Sequence, residues 1–157
     1  MNKYKYILIL VLFYVSNTKS AELTQGGYTL KRFEGNIPDI ETKHKLDLLF
    51  EKTENGRTTK RSIEVKNWAN ANTVGYEQFK AYIESGHEFW YYFNNGLGDA
   101  MKTKFQNIFK NPAKAQELFD LNPNFFRNLS PGNINNADDL INMANDNTLK
   151  NHINWIK

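Results

Sequence analysis

Residues 45–66 read KLDLLFEKTENGRTTKRSIEVK. Asn55-Gly56 stands between two runs in which apolar and polar residues alternate. A type I′ turn needs positive φ at both central residues, and Asn-Gly meets that need best, so the stretch predicts a β-hairpin. With Asn55 and Gly56 as the two turn residues the register follows. Glu54 faces Arg57, Leu48 faces Ile63, Asp47 faces Glu64, Leu46 faces Val65 and Lys45 faces Lys66. Leu46, Leu48, Ile63 and Val65 then share one face, which is expected to be the core face. Asp47 and Glu64 share the other, with Cβ atoms about 4.5–5.5 Å apart.

Two opposed carboxylates repel, so the pair is costly without a cation between them. A hard divalent ion such as Mg²⁺ takes one or two carboxylates and completes its shell with waters and phosphate oxygens. Lys66 lies two residues past Glu64 and projects on the same face. There it can orient or deprotonate a water, or neutralise charge building on a phosphate. The same residues also fit a solvated face of mixed charge, made by Lys45, Asp47, Glu51, Lys60, Glu64 and Lys66, which antiparallel sheets commonly carry.

Outward from the hairpin, residues 21–44 admit a short helix or strand near Tyr28 to Glu34. NWANANTVG (67–75) reads as a polar connection. In GYEQFKAYIESG, Tyr76, Phe79, Tyr82 and Ile83 recur at helical spacing and Gly86 suits the stop. HEFWYYF (87–93) reads as a buried strand. Strand, helix, strand makes a crossover, so this strand is expected parallel to the one before it. After Gly98 the chain reads as helical to its end. Asp99, Asn111, Asn122 and Asn136 are expected caps, Pro112 and Pro123 suit first helical positions, and a last helix is expected over 147–156. Asparagine is abundant from 122 to 154, which weakens those helices. Trp68 and Trp90 are expected in the core. His44, His87 and His152 are scattered without metal-ligand spacing.

The chain has 157 residues, 40% hydrophobic and 14% aromatic, which fits one folded domain and excludes a disordered composition. Its first twenty residues carry Lys3 and Lys5, then the apolar run ILILVLFYV, then Thr18 and Ser20 at positions suited to cleavage. That is the pattern of a secretory signal peptide removed after Ser20, and the run is too short to span a bilayer. Residues 21–157 are then one secreted or periplasmic domain, with no stable membrane association. Lys3, Lys5 and Lys19 leave with the signal, so the rest holds 17 basic residues against 17 acidic ones. The sequence pI near 9.0 is therefore no nucleic-acid footprint. There is no cysteine, which excludes disulfides, thiolate catalysis and zinc–thiolate sites.

An Asp on one strand (Asp47), E-x-K on the next (Glu64-Val65-Lys66) and Q-x-x-x-Y on a following helix (Gln78 to Tyr82) resemble the PD-(D/E)xK nuclease superfamily, in its RecB-like branch. The resemblance covers residues 45–94. It implies a restriction-endonuclease-like α/β fold: a small mixed sheet flanked by helices, here with a helical C-terminal part over 98–157. It implies Mg²⁺, with Mn²⁺ able to substitute, held by Asp47, Glu64 and the Val65 carbonyl. It implies Lys66 as a catalytic residue, Gln78 as support for the site or the scissile phosphate, and Tyr82 on the substrate strand. Members usually carry a helix before the Asp strand, often with a further acid, for which Glu34 and Glu41 are the candidates here. The partner implied is DNA or RNA. Many small members are toxin tips used between bacteria, which implies an inhibitor or immunity protein as a second partner. The competing expectation is a secreted binding module without catalysis, using the charged hairpin face and the C-terminal helices.

Overall fold

The computed structural model describes residues 23–66, 75–93 and 96–156. The signal-peptide expectation and Trp68 lie outside those residues. The fold is mixed α/β. Four strands, β1 (Thr29–Asn36), β2 (Lys45–Glu54), β3 (Arg57–Lys66) and β4 (Glu88–Phe93), form one sheet in the order β1-β2-β3-β4. The segment before the hairpin, Thr29–Asn36, is thus a strand antiparallel to β2, and described residues 23–25, ahead of it, are helical.

The hairpin turns at Asn55 and Gly56, whose φ angles of 50° and 75° are the positive values that motif needs. Its ladder runs in the expected register from Glu54–Arg57 to Leu48–Ile63. Helix α1 (Tyr76–Ser85) then returns the chain so that β4 lies parallel to β3. It ends where expected, at Gly86, in the left-handed conformation with φ of 66°.

Strands β2, β3 and β4 bury side chains on both faces of the sheet, while β1 is largely exposed. Leu48, Phe50, Ile63 and Val65 form a small cluster with Leu23 on one face. The other face, which carries Glu64, lies under the helices in a larger core. The expectation of one core face built from Leu46, Leu48, Ile63 and Val65 is corrected in two ways. That face is the smaller of the two, and Leu46 joins the larger core with Ile37 and Leu49. Strand β4 divides its aromatics between them: Phe89, Tyr91 and Phe93 enter the large core, Tyr92 packs against the small one, and Trp90 touches both.

The C-terminal helices α2 (Gly98–Ile108), α3 (Pro112–Leu121), α4 (Pro123–Leu129) and α5 (Ala137–Asn145) contribute Phe105, Leu118, Phe126 and Leu140 to the same large core. Asn111, Asn122 and Asn136 cap their helices through side-chain oxygens, and Asn136 with Asp139 closes a capping box. Asp99 does not cap: α2 begins at Gly98 with Leu97 before it, and Asp99 sits in the first turn, where its charge suits the helix dipole. The last helix is also corrected. Only a 3₁₀ turn, Leu149–His152, forms. Beyond it the chain is drawn onto β4, where Tyr91 N donates to the Trp155 carbonyl at 2.8 Å and Ile156 bridges to Tyr91. Trp155 is buried among Phe79, Phe89 and Phe125, and that burial outweighs the weak helix propensity of the Asn-rich stretch.

Candidate active site

The sheet opens where the two acids meet. Beyond Leu48–Ile63, β2 stays paired with β1 as far as Asn36–Lys45 but leaves the β3 ladder. Asp47 causes the break. Its Oδ2 accepts a hydrogen bond from Val65 N at 2.7 Å, so a side chain takes the donor that a strand carbonyl would otherwise claim. Asp47 and Glu64 are therefore neighbours, as the register implies, but not a ladder pair.

Glu64 is 5% exposed. Both of its oxygens are engaged: Oε1 accepts from Lys66 Nζ, and Oε2 accepts from the Tyr82 hydroxyl at 3.0 Å. Lys66 Nζ also donates to Gln78 Oε1 at 3.1 Å. Gln78 Nε2 donates to the Lys45 carbonyl at 2.9 Å, which ties α1 to the start of β2. Five residues from two strands and a helix thus join in one network: Asp47 is linked to Glu64 through β3, and Glu64, Lys66, Gln78 and Tyr82 are linked directly. Gln78 and Tyr82 reach the site together because residues four apart share a helix face.

Tyr82 does not sit where a substrate strand could touch it. Its side chain is fully buried, with its ring against Phe89 and Tyr91. Burial, then the Glu64 charge, raises its pKa, so the phenol stays protonated and serves Glu64 as a donor. It positions a carboxylate rather than a substrate.

Burial and then the charge of Glu64 push Asp47 from 3.8 up to about 6, against the Val65 hydrogen bond and the Lys66 charge, which pull it down. Glu34 adds a smaller upward push. Of the two acids that could have completed the site, Glu34 is the one whose charge reaches Asp47. Among the described residues, however, no group of three or more His, Asp or Glu side chains gathers. The donor set still suits a hard divalent cation, since a cation offsets both the burial of Asp47 and its repulsion with Glu64. Its remaining ligands would be the Val65 carbonyl, waters and substrate oxygens.

Of the residues that a solvated face would use, Glu64 is buried, while Lys45 is exposed and Asp47, Glu51, Lys60 and Lys66 are half-buried. Two anchors were invisible in the sequence, the Val65 amide and the Lys45 carbonyl. They are backbone groups, and no residue type announces them. No family model, curated protein or solved structure matches the chain. Among the described residues, no helix is long and apolar enough to cross a membrane.

Proposed function

We propose that the protein is an exported, Mg²⁺-dependent nuclease of restriction-endonuclease-like fold, hydrolysing phosphodiester bonds of DNA or RNA. The observation that carries the reading is the single network joining Glu64, Lys66, Gln78 and Tyr82 beside Asp47. Asp47, Glu64 and the Val65 carbonyl would hold the cation. When bound, it supplies Lewis acidity and positive charge at the phosphate.

The chain's own residues do the rest. Val65 N fixes one Asp47 oxygen, and Tyr82 fixes one Glu64 oxygen. Gln78, anchored on the Lys45 carbonyl, holds the Lys66 ammonium at the edge of the acid pair. Lys66 offers its charge to the phosphate oxygen on which negative charge builds. Hydrolysis joins the oxygen of water to phosphorus and releases the leaving strand as an alcohol. In a toxin role, the cell that makes the protein would need an inhibitor or immunity partner.

The test is cleavage of plasmid, single-stranded DNA and bulk tRNA by the purified protein with Mg²⁺, Mn²⁺ or chelator. Cleavage is expected with either metal, absent in chelator, and reduced about 10²–10⁴-fold in Lys66→Ala. A folded protein that cuts none of these substrates overturns the reading.

A further inference from the structure

Strands β1 and β2 are joined by residues 37–44, a connection longer than a tight hairpin turn. It leaves the sheet at the pair Asn36–Lys45 and does not loop out into solvent. Ile37 is buried in the large core, and Ile40 packs against it. Between them Asp39 accepts on a single oxygen, Oδ2, from Lys60 Nζ at 2.5 Å and from His87 Nε2 at 2.9 Å. Lys60 pairs with Glu51, which lies six residues, about 20 Å of strand, along β2 from Lys45. The connection has therefore turned back along the sheet. Lys60 and Glu64 are four apart on β3 and share a face, so the connection crosses the face that carries the acids. It is fastened at Asp39 to β3 and to the residue that leads into β4. Asp39 holds a φ of 66°, in the left-handed region that side chains disfavour, so its two bonds keep a backbone conformation the free chain would leave.

His87 is the member of this latch that can change its charge near neutral pH. Its side chain is 12% exposed. The Lys60 hydrogen bond, first among its causes, holds Asp39 below the usual carboxylate range, so Asp39 is ionised and only accepts. His87 Nε2 therefore carries the proton of that bond. Nδ1 of the neutral ring is then an acceptor, and it is buried without a hydrogen-bond partner. A second proton would make Nδ1 a buried donor with no acceptor, in a ring that must also carry charge away from water. Burial accordingly lowers the His87 pKa from 6.5, against the upward pull of Asp39; Lys60 adds to the lowering and Glu51 opposes it. Of the other charged groups around the ring, Arg61 and Glu88 pair with each other, Glu84 stands near the end of α1, and Arg57 borders the same cleft.

We infer that residues 37–44 are a pH-sensitive strap, fastened while neutral His87 and Lys60 both hold Asp39, and released when His87 takes a second proton. The latched ring favours the neutral form more than a released, solvated ring does. The latch is therefore at full strength above 6.5 and weakens as pH falls. Asp39 stays ionised through that window, since its own pKa lies below 3.8. The release reaches beyond the strap. Its last residue adjoins Lys45, whose carbonyl holds Gln78, and Asp47 follows two positions on. Letting go at Asp39 slackens the segment that carries one of the two acids. None of this depends on what the acid pair does.

Glu41 is exposed within the strap, so a glutamate-specific endopeptidase active in acid and neutral buffer reads its opening. The purified protein is digested at about pH 7.5 and about pH 5.5, and each rate is divided by that on a free peptide of residues 36–47. Mass spectrometry follows the cut after Glu41. The parent should be cut several-fold faster, on this relative scale, at the acid pH. His87→Gln keeps an N–H for Asp39 but does not titrate, and should be cut slowly at both. Asp39→Asn loses the ionic half of the latch and should be cut fast at both. Circular dichroism checks that each variant is folded. A second measurement needs no substitution: the His87 ring, followed by NMR, should titrate below 6.5, and the amides of residues 39–44 should shift with it. A relative rate that does not rise in acid, a rise that His87→Gln retains, or a ring that titrates at or above 6.5 would overturn the inference.

Discussion

At neutral pH the Asp47→Asn variant should unfold at a higher urea concentration than the parent. Asp47 is pushed from 3.8 to about 6 in the folded chain. The folded state therefore holds on to a proton that the unfolded state releases between about pH 4 and pH 6. Over that window the parent loses stability as pH rises, and above it the full cost of an ionised Asp47 remains. Each pKa unit is worth about 1.4 kcal/mol, so the ceiling is about 3 kcal/mol. Asp47 is only half-buried, and a neutral amide oxygen accepts more weakly from Val65 N, so about 2 kcal/mol is the expected gain. The assay is urea unfolding of both proteins in chelator, at steps from about pH 4 to about pH 7.5. The two should coincide at the acid end and separate through the window. A variant less stable than the parent at neutral pH, or a difference that does not change with pH, would refute the reasoning.

Mg²⁺ at about one hundred times its dissociation constant should add about 2.7 kcal/mol to the parent's stability. Thermal melts should show that gain lost in Asp47→Asn and in Glu64→Gln. Tyr82→Phe removes a buried donor from Glu64 and should cost about 1–2 kcal/mol in urea unfolding. Because the Tyr82 ring cannot reach substrate, the same variant should lower kcat for cleavage and leave KM unchanged. Gly86→Ala forces a side chain into the left-handed conformation at φ of 66° and should cost about 1 kcal/mol of thermal stability with little change in cleavage.

The hairpin could be read from the sequence because its signals are local. Asn55-Gly56 fixed the turn, the turn fixed the register, and the register brought Asp47 beside Glu64. The crossover through α1 was legible for the same reason, since helical spacing and Gly86 both lie within one short segment. What the sequence did not disclose depends on distant parts of the chain. Alternation along β2 and β3 reports that one face is apolar, but not that helices from beyond residue 98 cover the charged face as well. Tyr82 looked available to a substrate until Phe89 and Tyr91 closed around it. The opening of the sheet at Asp47 rests on competition between a carboxylate and a carbonyl for one N–H, and residue order does not decide such a contest. Trp155 was expected in a helix although its neighbours are weak helix formers; its actual partners, Phe79 and Phe89, lie more than sixty positions away.

That separation has a bearing on synthesis. The Phe79 ring stacks on Trp155 at 5.9 Å, and Phe79 belongs to the same helix that brings Gln78 and Tyr82 to the acids. The hairpin needs only neighbouring residues and can form early. The helix that orders its acids is seated only when Trp155 arrives, because contacts between remote positions form late. A growing chain on the ribosome therefore carries Asp47 and Glu64 long before it carries a finished centre.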